Sequence, residues 1–175
     1  MKPDVKEIAF RLYQEYVSED FEDFDGTSDI SIGAIYFKII NKKPVHYLLL
    51  RQISDKYYEC LKLSSFYEFA TEYDVFYNLK IENQTYIVQT DINFYLSSDE
   101  IKKSILLENL PEKYFKELKK FIDISEDDKI DYKGFLQQGL FYPVGNKWVK
   151  AFKQEELDVV KDYHLRIFEI LDELE

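Results

Sequence analysis

Cysteine is nearly absent: Cys60 stands alone in 175 residues, so no intramolecular disulfide can form and an oxidising compartment gains no support. Histidine is as scarce. His46 and His164 share no zinc-ligand spacing with each other or with Cys60, so the sequence predicts neither a metal nor a cofactor. The five glycines form no phosphate-cradling loop and no G-x-S-x-G elbow, which sets aside the common nucleotide-binding and hydrolase classes. Met1-Lys2-Pro3-Asp4 opens without the apolar core of a signal peptide, and no apolar run approaches the roughly 20 residues of a membrane helix. These absences predict a cytoplasmic chain with no membrane partner. Positive charge is also short. Twenty-three Lys and Arg against 34 Asp and Glu give a net −11, which opposes non-specific attachment to RNA or anionic lipid.

What is present is a globular composition. Hydrophobic residues make up 46% and charged residues 33%, too apolar for a disordered chain, and the length suits one domain with its own core. Aromatic residues reach 17%, with 15 Tyr and 14 Phe, and are read chiefly as core and cross-strand packing.

Asp4 and Glu7 open a first helix that runs to Val17 on Val5, Ile8, Ala9, Leu12 and Tyr16. Residues 18–29 then carry six acids and no base, a solvated linker in which Phe21 and Phe24 are candidate anchors to a groove. Short apolar segments follow at Ile32–Ile40, Val45–Ile53, Tyr57–Leu63, Val75–Ile81, Tyr86–Thr90 and Ile92–Leu96. Turn chemistry separates them at Asn41–Pro44, Ser54–Lys56 and Glu82–Thr85. Ser97 and Glu100 form a capping box that opens a helix through Ile101, Ile105 and Leu106, and Pro111 starts another on Phe115, Leu118 and Ile122. Gly145-Asn146 suggests a hairpin joining Leu140–Val144 to Lys147–Phe152.

The last segment is the most periodic. Leu157, Val160, His164, Ile167, Leu171 and Leu174 alternate by three and four residues, which gives an a/d-type stripe for the chain's own core, a partner helix or a second copy. The predicted fold is α+β: a small, curved, mainly antiparallel sheet or SH3-like barrel flanked by helices. It forms a single domain over 1–175, with a barrel-like core at 32–122 and a hairpin–helix element appended at 124–175.

Candidate chemistry is thin. Asp123 to Asp131 looks like a calcium loop but has Asp128 where an EF-hand needs glycine and Gly134 where it needs glutamate. Glu100-Ile101-Lys102 matches the E-x-K fragment of metal-dependent nucleases, but falls in a helix's first turn, where Glu100 has a capping task. Glu68, Glu72 and Asp74 read as a surface acidic patch. Cys60 reads as a buried thiol rather than a nucleophile.

Three segments in order carry a family resemblance. They are Ile32-Gly33-Ala34-Ile35-Tyr36, Lys43-Pro44-Val45 followed by Tyr47-Leu48-Leu49-Leu50, and Leu61-Lys62-Leu63-Ser64-Ser65. Together with Glu100–Leu106 and Leu110–Ile122, they resemble the PemK/MazF-type toxins, SH3-like barrels that usually cleave RNA. The resemblance covers about half of the chain. It implies that Lys43 and Ser64 stand where the family's catalytic arginine and hydroxyl stand. Lysine keeps the charge but loses the planar fork that grips phosphate, and Ala34 replaces the family's aspartate.

The reading that follows is a non-catalytic protein-interaction module on a toxin-like barrel. Its partner-binding candidates are Leu157, Val160, His164, Ile167 and Leu171, with Phe21 and Phe24. One alternative is a metal-independent endoribonuclease of toxin–antitoxin type using Lys43 and Ser64, which a contiguous basic groove of Lys38, Lys42, Lys43 and Lys62 would favour. The other is a homodimeric structural or regulatory protein.

Overall fold

Six antiparallel strands curl into a half-barrel. The computed structural model describes residues 27–124 and 146–174. The strands are β1 (Ala34–Ile40), β2 (Lys43–Gln52), β3 (Tyr57–Ser64), β4 (Asp74–Leu79), β5 (Gln84–Ser97) and β6 (Ile105–Asn109), arranged in the order β4-β5-β3-β2-β1-β6. The helices are α1 (Ser98–Lys102), α2 (Glu112–Asp123), α3 (Asn146–Val159), α4 (Lys161–Leu165) and α5 (Ile167–Leu174). This is the expected α+β architecture of a curved antiparallel sheet flanked by helices. The first helix, Phe21, Phe24 and the Leu140–Val144 segment lie outside the described residues.

The turns do what their residues predict. Asn41 and Lys42 both take positive φ, 51° and 64°, the mirror-image turn that matches strand twist and joins β1 to β2. Asn83 does the same at φ 50° between β4 and β5. Gly33 sits at φ +90°, and a Cβ there would lie 3.0 Å from the Phe115 ring, so this position needs glycine for both backbone and space.

Strand alternation sends one set of side chains inside the curl and the other outside. Ile35, Leu48, Leu50, Leu61, Leu63, Val75, Tyr77, Leu79, Tyr86 and Val88 fill the interior, which α2 closes with Tyr114, Leu118 and Phe121. Ala34, Tyr36, Tyr47, Leu49, Cys60, Phe94 and Leu96 face outward and pack with Ile101, Val159 and Val160. All eight residues of β3 are therefore buried. A bulge sets the phase of the long strand β5. Leu61 pairs with Asn93 while the next residue, Lys62, pairs with Gln89, so Ile87 and Gln89 face out before the bulge and Ile92, Phe94 and Leu96 after it.

The two edge strands meet through side chains rather than a backbone ladder. Tyr77 on β4 donates its hydroxyl to Glu108 on β6, and Glu108 Oε1 accepts the Lys80 amide at 3.1 Å. Burial and the adjacent Glu108 carboxylate push the Tyr77 hydroxyl well up, so it stays a donor.

Two expected elements change type. The helix after the capping box stops at Lys102, and Ile105–Leu106 belongs to β6, which pairs with Phe37 and Tyr36 of β1. Cross-sheet pairing outweighs the helical spacing there. Lys147–Phe152 is helical rather than a strand: Val149, Phe152 and Glu156 fall on one face of α3, and Phe152 stacks on Phe69 at 4.6 Å. The periodic C-terminal segment spans the end of α3 and the short helices α4 and α5 instead of one helix, broken at Val160 and Arg166.

Candidate interaction surface

Among the described residues, three polar groupings bear on a candidate site, the first of them under α3. Across the outer face of the sheet, strand register aligns Tyr47, Lys62, Gln89 and Asp74 on β2, β3, β5 and β4. Helix α3 lowers Lys153 and Glu156 onto this row. Lys62 Nζ donates to Glu156 Oε2 at 2.9 Å and Gln89 Nε2 to Glu156 Oε1 at 2.8 Å. Lys153 Nζ donates to Asp74 Oδ1 at 2.7 Å, to Gln89 Oε1 at 3.0 Å and to Asp91 Oδ1 at 3.0 Å. Asp74 Oδ2 accepts from the backbone amide of Thr71 at 2.8 Å and from its hydroxyl at 3.1 Å. Asp74 and Gln89 are fully buried and Lys62 and Glu156 nearly so. Asp74 therefore does not belong to a surface acidic patch: β4 carries it inward to the seam, where Lys153 meets it. Buried charges of this kind hold because each has a partner.

The second place is one mouth of the half-barrel. His46 Nε2 lies 2.8 Å from Glu82 Oε2, and the Tyr86 hydroxyl donates to both Glu82 oxygens at 3.1 Å. The imidazole sits between the rings of Phe37 and Tyr86, with centroids at 5.3 and 4.8 Å. His46 holds the Glu82 carboxyl below the usual carboxylate range, against the opposing effect of burial. Glu and Tyr both meet the same ring nitrogen, so the group ties the β4–β5 turn to β2 and has no relay from base to nucleophile.

The third place is the C-terminal run. Among its predicted contact residues, Val160 is fully buried, while Leu157 and Ile167 are half-buried against the domain's own core. His164 Nδ1 lies 2.7 Å from the Asn93 carbonyl, so that nitrogen donates and the other carries no proton when the ring is neutral. Arg166 anchors the break before α5: Nη1 donates to Glu100 Oε1 at 2.5 Å and to the Tyr95 carbonyl at 3.1 Å, and the guanidinium lies over the Tyr163 ring. Glu100 also completes the capping box of α1, accepting from the Ser97 amide at 2.7 Å. Burial pushes Glu100 up, but Arg166 and the Ser97 amide more than offset this and hold it below the ordinary range.

The apolar residues left outside are different ones. Leu165, at the end of α4, and Phe168, Leu171 and Leu174 on α5 are 44%, 65%, 50% and 60% exposed. The acids Glu169, Asp172 and Glu173 stand among them, and α5 contains no Lys or Arg. Of the predicted stripe, Leu171 and Leu174 belong to this exposed set, whereas Leu157, Val160, His164 and Ile167 turn toward the domain. Past Arg166, Ile167 and Ile170 are the α5 residues that pack inward, against Tyr57 and Tyr95.

Lys43 begins β2, half-buried, and Ser64 ends β3, 4% exposed, with its hydroxyl accepting the Phe66 amide at 3.1 Å. Lys62 is committed to Glu156 beneath α3 and takes no part in a surface groove with Lys38, Lys42 and Lys43. Cys60 is buried, and desolvation pushes its thiol well up, which favours the inert protonated form. Among the described residues no group of three or more His, Cys, Asp or Glu could hold a metal ion, and no helix is long and apolar enough to cross a membrane. Comparison with family models, curated proteins and solved structures finds no match to this chain.

Proposed function

We propose that this chain is a non-catalytic interaction module that binds an apolar, positively charged helix of a protein partner along the outer row of its terminal helices. The observation that carries the reading is the exposed row Leu165, Phe168, Leu171 and Leu174 set among Glu169, Asp172 and Glu173. Isolated exposed apolar residues are ordinary on any surface, but four large ones within ten residues form an apolar patch of the kind that receives the apolar face of a partner helix. Charge selects the occupant. A second copy would bring net −11 against net −11 and acids against acids, whereas a helix flanking its apolar face with Lys or Arg would complement the row.

The half-barrel supplies a rigid base. Arg166 and His164 fasten the terminal helices to β5 and α1, so the row is presented without ordering cost at each encounter. The buried hydroxyl of Ser64, already used by the Phe66 amide, gives the ribonuclease alternative no support.

The test is calorimetric titration with a synthetic basic amphipathic Leu/Lys helix and its acidic Leu/Glu counterpart. Wild-type protein is expected to bind the basic helix, and Phe168→Asp to weaken binding by about tenfold or more, since a central aromatic anchor is lost. The substitution adds negative charge, so attraction by charge alone would strengthen instead. Equal or tighter binding by Phe168→Asp overturns the proposal, as would specific RNA cleavage that disappears in Lys43→Ala.

A further inference from the structure

We propose that the seam beneath α3 is a proton-binding site that fastens the terminal helices to the sheet more firmly as the pH falls. The geometry leaves the seam one positive charge short. Three carboxylates, Asp74 on β4, Asp91 on β5 and Glu156 on α3, face two ammonium groups, Lys62 on β3 and Lys153 on α3, with the neutral Gln89 between them. Every cationic group in the seam is already paired with a carboxylate. Lys153 spends its three N–H bonds on Asp74, Gln89 and Asp91, and Gln89 and Lys62 are both turned to Glu156. Thr71 gives its amide and hydroxyl to the far oxygen of Asp74.

On acidification a proton can supply the missing charge, and position decides where it goes. Asp91 keeps 30% of its side chain in solvent, and both oxygens of Glu156 have donors, one of them charged. Asp74 is fully buried with a second carboxylate on the same ammonium, so its charged form costs the most to hold. Burial pushes Asp74 up to about 6, with Lys153 pulling it down and Asp91 pushing it up. An acid whose folded value lies above its unfolded value adds stability below the unfolded value. That stability is lost as the pH rises through the folded one. The window here runs from about 4 to about 6. Between pH 7.5 and pH 5 this one group raises the folded-to-unfolded ratio about tenfold. The seam joins Lys153 and Glu156 to residues 62 to 94 positions away, so what it fastens is the attachment of α3 to the sheet. The site is separate from the exposed apolar residues of α4 and α5 and does not depend on partner binding.

Carboxyl-carbon NMR of the full chain tests it. Asp74 is expected to titrate about one unit or more above an ordinary aspartate, and Asp91→Asn, which keeps an acceptor for Lys153 while removing the excess charge, is expected to lower that midpoint. Amide exchange in α3 is expected to slow on going from pH 7.5 to pH 5, after correction for the intrinsic rate, and to slow less in Asp91→Asn. A wild-type midpoint within the ordinary range overturns the proposal, as does α3 protection that stays flat or falls on acidification. Both wild-type readings decide the matter even if Asp91→Asn does not fold.

Discussion

Lys153→Met is expected to lower the unfolding free energy by about 3–5 kcal/mol near neutral pH, the cost of leaving a buried charge without its partner. Lys153 is 13% exposed and is the cation that meets Asp74, which is not exposed at all. Methionine fills the same space but offers nothing to three oxygens that now face one another. The loss should shrink on going to pH 5. Without the ammonium, the Asp74 carboxyl rises further and takes a proton more readily, which removes the orphaned charge. Urea unfolding at pH 7.5 and pH 5 measures both. A loss below about 1 kcal/mol at pH 7.5 would mean that water reaches the seam freely and that the ion pair is no more than a surface contact.

Phe121→Ala is expected to cost about 3–5 kcal/mol at any pH between 5 and 8, because it opens a cavity in a site that cannot collapse. Phe121 is fully buried where α2 closes the half-barrel, among side chains contributed by several strands. The wall is a hydrogen-bonded sheet and cannot move inward to fill the gap. The urea midpoint should fall with the slope unchanged. A markedly altered slope would instead mean that α2 detaches on its own and that the barrel stands open without it.

Local signals in the sequence reached as far as local physics reaches. The capping box at Ser97 and Glu100 appears as expected because its bonds close within one helical turn. The turns at Asn41 and Asn83 do so because two or three residues decide them. Ile105–Leu106 carried the spacing of a continuing helix, and only the distant strand β1 makes that segment β6. The stripe from Leu157 to Leu171 was visible as periodicity. Its partition into buried Val160 and exposed Leu171 falls on either side of the break at Arg166, whose partner Glu100 lies far along the chain. The polar seam was the least legible, since its members come from four elements. One signal was available: Lys62 stands between Leu61 and Leu63 in a strand apolar on both faces, where a lysine must find a carboxylate.

The meeting of β1 with β6 sets a clock on the newborn chain. Ser31 and Asn109, which hydrogen-bond across that junction, lie 78 positions apart, whereas β1 and β2 are joined by a tight turn. At a synthesis rate of roughly 5–20 residues per second, the outer edge of β1 waits about 4–16 seconds for its neighbour. Throughout that interval a row of backbone donors and acceptors is open to any extended segment nearby, including the same edge on a chain from the next ribosome. Chains crowded on one message are thus the setting in which misassembly of this protein is most favoured, and slowing initiation, by spacing the ribosomes, is the remedy the topology indicates.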